Sequence, residues 1–438
     1  MNLKIKPSKL SGSVRAIPSK AQAQRVFICA ALSDRPMEIN AYGISGDVEA
    51  VIACLRAMGA KVRQIRDGRW RVEPVFKKNG GKAFSGVPVL KCRESKAALR
   101  FLLPVGAALF NRLELEASGG HPFERIEPLV KAMEANGCHF SGETFPMSVQ
   151  GRLRGGNFLL SGNVSDRFVS GLLMAAPFMK DDSRVLLDTY LESEYYVDLT
   201  IDVMERFGIA VYENEAGYEI PGRQTYCSPK EFRVEGDWTT AAYWMGARAL
   251  GQDIKVEGLN HHSAQGDRRV VRLLEDLGEG AVIDAFYVSD LVPILSVVAA
   301  VSEGQTRISR AQRLRQKGND RLRAVTEMLR ALGADVKESE EELLITGKPV
   351  LSGGTVDCSE DELIAMAAAV ASTVCSGPVE LRGAEAVKKI YPRFFKDFKH
   401  LGGVYEDLDA SEHAAEIAEN EENEENAKSV ADTVSEQE

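Results

Sequence analysis

Residues 49–62 read EAVIACLRAMGAKV, and residues 321–336 read RLRAVTEMLRALGADV. Each is an amphipathic helix closed by a glycine and followed at once by a short apolar strand. Gly59 ends the first helix, over 50–58, and Gly333 the second, over 321–332. Glycine suits that place because the residue after a helix commonly turns into the left-handed region, where a Cβ is penalised. The unit recurs with Gly137 after 128–136, Gly208 after 199–207, Gly278 after 270–277 and Gly402 after 394–401. Six occurrences, about 55 to 78 residues apart, predict a repeat protein in which each copy is one supersecondary unit.

Helices of a second kind lie between these, richer in Ala and apolar on most sides. They are predicted at 24–32, 97–109, 167–179, 239–250, 291–301 and 362–373. A helix apolar all round is a buried one. Short strands are expected at 185–187, 231–234 and 379–381, among others. Six βα-rich units of about 70 residues predict an α/β fold in two three-unit domains.

The chain has 438 residues, 44% of them hydrophobic, which is enough for each domain to bury a core. Its formal charge of −10 is concentrated at one end, since residues 411–438 hold nine Glu and one Asp against one Lys. That segment cannot offset its ordering entropy by burial and is expected to be a disordered acidic tail. The remaining body is nearly neutral. It offers no bulk field for nucleic acid, so an anion must meet locally clustered Lys and Arg, and small anionic ligands stay open. No apolar run reaches the length of a membrane span and the start lacks a signal-type apolar region, so a cytoplasmic protein is expected. The seven cysteines show no CxxC pair, and His261 and His262 are adjacent and cannot share a helical face. Reduced thiols and no protein-bound metal are expected.

Cationic residues stand in the apolar or Ser/Gly-rich entries to the predicted helices: Lys20 and Arg25, Arg100, Arg125, Lys317 and Arg321, and Lys389. Taken singly, each also reads as a salt-bridged surface cation. Repeated at similar places in successive units, they point to an anion site made of helix N-termini and fixed cations.

These motifs, in order, carry a resemblance. Pro18-Ser19-Lys20 with Arg25, Leu99-Arg100-Phe101-Leu102, Leu172 to Pro177, Val234 to Asp237 leading into Ala241-Ala242-Tyr243, Gln265-Gly266-Asp267, Ser289 to Pro293, Asp320-Arg321-Leu322 and Lys389 with Tyr391-Pro392 together resemble the 5-enolpyruvylshikimate-3-phosphate synthase family. The likeness runs from about Ile5 to Gly403. It implies a two-domain inside-out α/β barrel with three βαβαββ-type repeats per domain. One domain would combine 1–17 with 236–410 and the other would span 18–235, with the active site in a cleft closed by ligand-driven domain approach.

The resemblance also implies a reaction: the enolpyruvyl group of phosphoenolpyruvate passes to the 5-hydroxyl of shikimate 3-phosphate, and phosphate is released through a tetrahedral intermediate. By the same token Lys20, Arg125, Arg321 and Lys389 hold phosphoenolpyruvate. Arg25, Ser165, Ser193, Tyr196 and Lys317 hold the shikimate ligand, with Arg100 and Arg167 in the binding set. Asp290 is the general base, and Lys317 is placed beside it among the catalytic residues. A monomer without cofactor, nucleic-acid partner or membrane partner is implied. On their own residues, Ser193 and Tyr196 read as well as capping and packing groups, and Asp290 as a helix cap.

The chain departs from the family at the cleft. Ala21 stands for Ser, Lys96 for Gly, Asp166-Arg167 for Ser-Gln, Gly318 for Glu and Leu363 for Arg. Lys96 is expected to fill ligand volume or place a cation in it, so glyphosate, a phosphoenolpyruvate-site ligand of the family, should bind poorly. Gly318 and Leu363 remove a proton-transfer carboxylate and an anion-binding Arg. Two further readings follow: a silent paralogue binding a shikimate-like anion or a partner, and an enolpyruvyl transferase with another acceptor.

Overall fold

The computed structural model describes residues 1–76, 84–118, 126–163, 165–191, 193–278, 280–316, 320–358 and 361–410. The acidic segment 411–438 lies outside the described residues.

All six glycine closures are present. Gly59, Gly137, Gly208, Gly278, Gly333 and Gly402 have φ of 103, 98, 78, 159, 83 and 104°. The helices ahead of them are Gly46–Ala57, Glu127–Glu134, Tyr195–Arg206, Val270–Glu275, Arg321–Ala331 and Phe394–His400. Gly46–Ala57 and Tyr195–Arg206 begin earlier than their apolar spacing indicates. A first turn is favoured by acids that suit the helix dipole, here Asp47, Glu49 and Asp198, and these are invisible to apolar periodicity.

The second class of helix is Lys20–Leu32, Lys96–Leu109, Asp166–Ala175, Trp238–Ala249, Val292–Ala299 and Glu362–Ala371. These are the buried ones, as their composition requires: in the last, every residue from Leu363 to Ala371 is buried. The expected 167–179 helix is cut at Ala175 and finishes as a short 3-10 turn, Ala176–Phe178, because Pro177 cannot continue an α-helical ladder.

Among the described residues the strands form five four-stranded sheets and one two-stranded sheet. One plan recurs. Val89–Arg93 runs parallel to Arg112–Ala117, which pairs antiparallel with Met147–Gln150, itself paired with the outer strand His139–Phe140. Asn157–Leu160, Ser183–Leu187, Gly217–Ile220 and Tyr212–Asn214 repeat this order. The first unit is completed from afar: Glu231–Arg233 returns to lie parallel to Met37–Asn40, with Phe232 opposite Ile39. The sheets lie outside, their strands alternating exposed and buried as in Glu231–Arg233, and the apolar helices lie inside.

Buried apolar residues form two cores, one from Ala23 to Val234, the other from Leu3 to Ile17 and Trp238 to Leu401. The chain therefore starts in the second core, passes into the first and returns. Leu3–Lys6 pairs with Val379–Arg382 and Val404–Asp407, and Ser11–Arg15 runs parallel to Asp253–Glu257. The outward and return passages touch: Pro18 and Gly236 form a bridge, the Ser19 N–H reaches the Glu235 carbonyl at 2.8 Å, and the Asp237 N–H reaches the Ile17 carbonyl at 2.7 Å.

Candidate active site

A cavity of about 810 Å³ opens beside that crossing, lined from both cores. Its walls are the first turns of the buried helices. Ser19, Lys20 and Ala21 come from Lys20–Leu32, Lys96 from Lys96–Leu109, and Asp166 and Arg167 from Asp166–Ala175. Asp237 and Thr240 come from Trp238–Ala249, Asp290 from the turn before Val292–Ala299, and Glu362 and Leu363 from Glu362–Ala371. Side chains cap several of these ends: Ser19 accepts from the Gln22 N–H, Ser95 from Ala98, Ser165 from Arg167 and Asp361 from Leu363. Six helix dipoles thus present their positive ends to one space, which favours anions.

Cations line the same space. Lys20 pairs with Asp47 at 3.0 Å. Arg100 donates to the Ser165 hydroxyl at 3.3 Å and lies over Phe168. Arg25, only 2% exposed, is bound almost all round by the protein: Nε to the Thr200 hydroxyl at 2.6 Å, Nη1 to the Ala21 carbonyl at 2.8 Å, Nη2 to the Tyr196 carbonyl at 2.8 Å. Burial lowers its pKa to about 10, partly offset by the nearby charge of Asp166, so it stays a cation at neutral pH. Asp166 is buried, and its charge acts on both Arg25 and Arg167. Burial is the largest single influence on Arg167 and opposes its charge, but Asp166, Tyr196, Asp47 and Asp290 together outweigh it and hold the guanidinium above its ordinary range.

The centre of the site is a carboxylate chain. Arg321 donates from Nη1 to Asp290 at 2.8 Å and from Nε to Asp361 at 2.6 Å. Burial opposes the charge of Arg321, but Asp361 and Asp290 more than compensate and raise its pKa. The other oxygen of Asp290 accepts from the Tyr196 hydroxyl at 3.2 Å. Burial holds that phenol well above its usual pKa, so it remains a donor. Asp290 comes from the second core and Tyr196 from the helix Tyr195–Arg206 of the first, so this bond spans the cavity. An aspartate in this setting can take a hydroxyl proton while the surrounding cations hold anionic groups.

Of the residues expected from sequence, Lys20, Arg25, Arg100, Arg167, Tyr196, Asp290 and Arg321 line the cavity. Ser165 and Ser193 are buried behind the lining, where Ser193 accepts from Arg313 at 3.1 Å. Lys389 is exposed at the end of the turn Ala384–Lys389, and its neighbour Ile390 is the lining residue. Arg125, Lys317 and Gly318 lie outside the described residues. Lys96 lines the cavity, as does Leu363.

Sequence reasoning missed Arg313, Arg315 and Gln24. The two arginines sit in the short turn Gln312–Gln316, too brief to show periodicity, although cations at alternate positions just ahead of Lys317 were a signal. Gln24 is buried in the cavity wall, and its Nε2 has no partner among the described residues, which suits a ligand oxygen. Among the described residues no His, Cys, Asp and Glu group could hold a metal ion.

Residues 5–398 match the family described as EPSP synthase (3-phosphoshikimate 1-carboxyvinyltransferase). The chain is 37% identical over 421 residues to the 3-phosphoshikimate 1-carboxyvinyltransferase of Clostridium perfringens, covering 91% of this chain and 98% of that one. It is 38% identical over 431 residues to the protein of the same name from Clostridium acetobutylicum, covering 94% and 99%. Among solved structures, EPSP synthase from Acinetobacter baumannii shares the fold with a TM-score of 0.81 at 21% identity, over 92% of this chain and 99% of that one.

Proposed function

This chain belongs to the EPSP synthase family, and we propose that its cavity carries the family's reaction with the residues assigned here. The reaction transfers the enolpyruvyl group of phosphoenolpyruvate to the 5-hydroxyl of shikimate 3-phosphate and releases phosphate, a step of aromatic amino acid biosynthesis. Lys20 and Arg321, with Arg125 and Lys389, hold phosphoenolpyruvate. Arg25, Arg100, Arg167, Ser165, Ser193, Tyr196 and Lys317 hold or back the shikimate ligand, and Asp290 takes the hydroxyl proton. Since Arg25 has few donors left, its part is largely to fix Tyr196 and the surrounding wall. The observation that carries this reading is the convergence of six helix N-termini and their cations on Asp290.

The same proposal divides the chain into 1–17 with 236–410 and 18–235, which fits the two cores, and places a cofactor-free monomer in the cytoplasm. No helix among the described residues is long and apolar enough to cross a membrane.

The test is phosphate release from phosphoenolpyruvate by purified protein. Release that depends on shikimate 3-phosphate is expected, and Asp290→Asn should lower kcat by roughly 10²- to 10⁴-fold, the usual cost of losing a general base. No turnover with both substrates saturating would overturn the reading. A second reading, a silent paralogue, is favoured by Leu363, an apolar side chain in the cavity wall where the resemblance implies an anion-binding Arg. It requires that calorimetry find shikimate 3-phosphate bound tightly by a protein without turnover.

A further inference from the structure

Enolpyruvyl transfer moves two protons, the hydroxyl proton that Asp290 takes and one at the methylene carbon of phosphoenolpyruvate. As the hydroxyl oxygen bonds to the central carbon of phosphoenolpyruvate, the π pair takes up a proton at the methylene carbon. When the C–O bond to phosphate breaks, phosphate leaves with the electrons of that bond, and the new methyl group must return a proton so that its C–H pair restores the double bond. One group acting as acid and then as base, at the phosphoenolpyruvate end, does both.

The carboxyls of the described lining are Asp166, Asp237, Asp267, Asp290 and Glu362. Asp237 accepts from the Thr240 N–H at 2.7 Å as a helix cap, and Asp267 accepts from the Thr239 hydroxyl. Asp166 acts on the charges of Arg25 and Arg167, and Asp290 is held by Arg321 and Tyr196. We propose that Glu362 protonates and then deprotonates the transferred methylene carbon. This rests on the transferase reading above.

Glu362 opens the buried helix Glu362–Ala371 and projects from the same wall as Arg321 and Leu363. The charged and titratable groups acting with it are Asp361, on the residue before it, and Lys20, Arg321 and Tyr243, each from a different helix. Lys20 and Arg321 are the residues assigned to phosphoenolpyruvate, which puts this carboxyl beside the carbon it must serve. Burial and the charge of Asp361 raise the Glu362 carboxyl above the ordinary Glu range, against the pull of its own backbone N–H and the two cations. A larger share of it is therefore protonated at neutral pH, as an acid catalyst needs.

The experiment compares wild type, Glu362→Gln and Glu362→Asp by phosphate release across pH, with shikimate 3-phosphate binding measured by calorimetry. The protonated form is the acid, so wild-type kcat should fall as pH rises through the raised pKa. Glu362→Gln should lose roughly 10²- to 10⁴-fold in kcat with little change in KM or in shikimate 3-phosphate binding, and should lose that alkaline limb. Glu362→Asp should keep the limb with a smaller loss, and decides the matter if the Gln variant fails to fold. A Gln variant as fast as wild type, or one that is slower with the alkaline limb intact, overturns the proposal alone. A wild type without turnover overturns the transferase reading and this one with it.

Discussion

Lys96, which stands where the family resemblance implies glycine, is the first residue of a buried helix and faces the cavity. A lysine there brings both volume and charge to a wall where glycine is implied. Lys96→Gly should therefore tighten glyphosate binding by about tenfold or more, a change of about 1.4 kcal/mol, read by inhibition of phosphate release. Equal inhibition of the two proteins would mean that the lysine points away from ligand. Single residues were legible where a motif fixed them, as with Lys20, Arg25 and Asp290. Asp47 as the partner of Lys20, Gln24 as a wall group with an unpartnered Nε2 and Arg313 as the donor to Ser193 were not, because Asp47 and Arg313 gain their meaning from contacts far along the chain and Gln24 from its burial in the cavity wall.

At the scale of elements, the glycine closures were the most readable feature, since the left-handed turn is a local requirement. Their energetic weights nevertheless differ with what surrounds them. A Cβ at Gly208, where φ is +78°, meets Cys227 at ordinary contact, 3.6 Å. At Gly333, where φ is +83°, it meets the Ser352 hydroxyl, and that hydroxyl donates to the Leu332 carbonyl at 3.1 Å. Gly208→Ala should cost about 1–2 kcal/mol from backbone strain alone. Gly333→Ala should cost about 1 kcal/mol more, because Ser352 must move and lose its bond. Urea denaturation of the two variants checks the order, and equal midpoints would contradict it. The starts of Gly46–Ala57 and Tyr195–Arg206 were harder to read because first-turn acids, not apolar spacing, favour them.

At the scale of the whole molecule, the cavity lies between two cores joined by paired passages at Ile17–Ser19 and Glu235–Asp237, a geometry suited to approach of one body toward the other. Lys389 stands outside the lining. If closure brings it to phosphoenolpyruvate, Lys389→Ala should raise the KM for that substrate by about 10- to 150-fold, the loss of a charged hydrogen bond of about 1.5 to 3 kcal/mol. Stability should be unchanged, as the side chain is exposed. Small-angle scattering should show the wild type contracting when both ligands are added. An unchanged KM would remove Lys389 from the site.

The sequence alone determined the six-unit repeat, the division of helices into buried and surface kinds, and the family, because periodicity, glycine closure and ordered motifs are local properties that survive in a one-dimensional reading. The tertiary structure decided which charges face one another. Tyr196 meets Asp290, Arg321 joins Asp290 to Asp361, and Glu362 comes to lie with Lys20 because the chain crosses twice between its cores and aims helix N-termini from both at one space. Electrostatic partnership depends on distance through space, and no pattern along the chain encodes it.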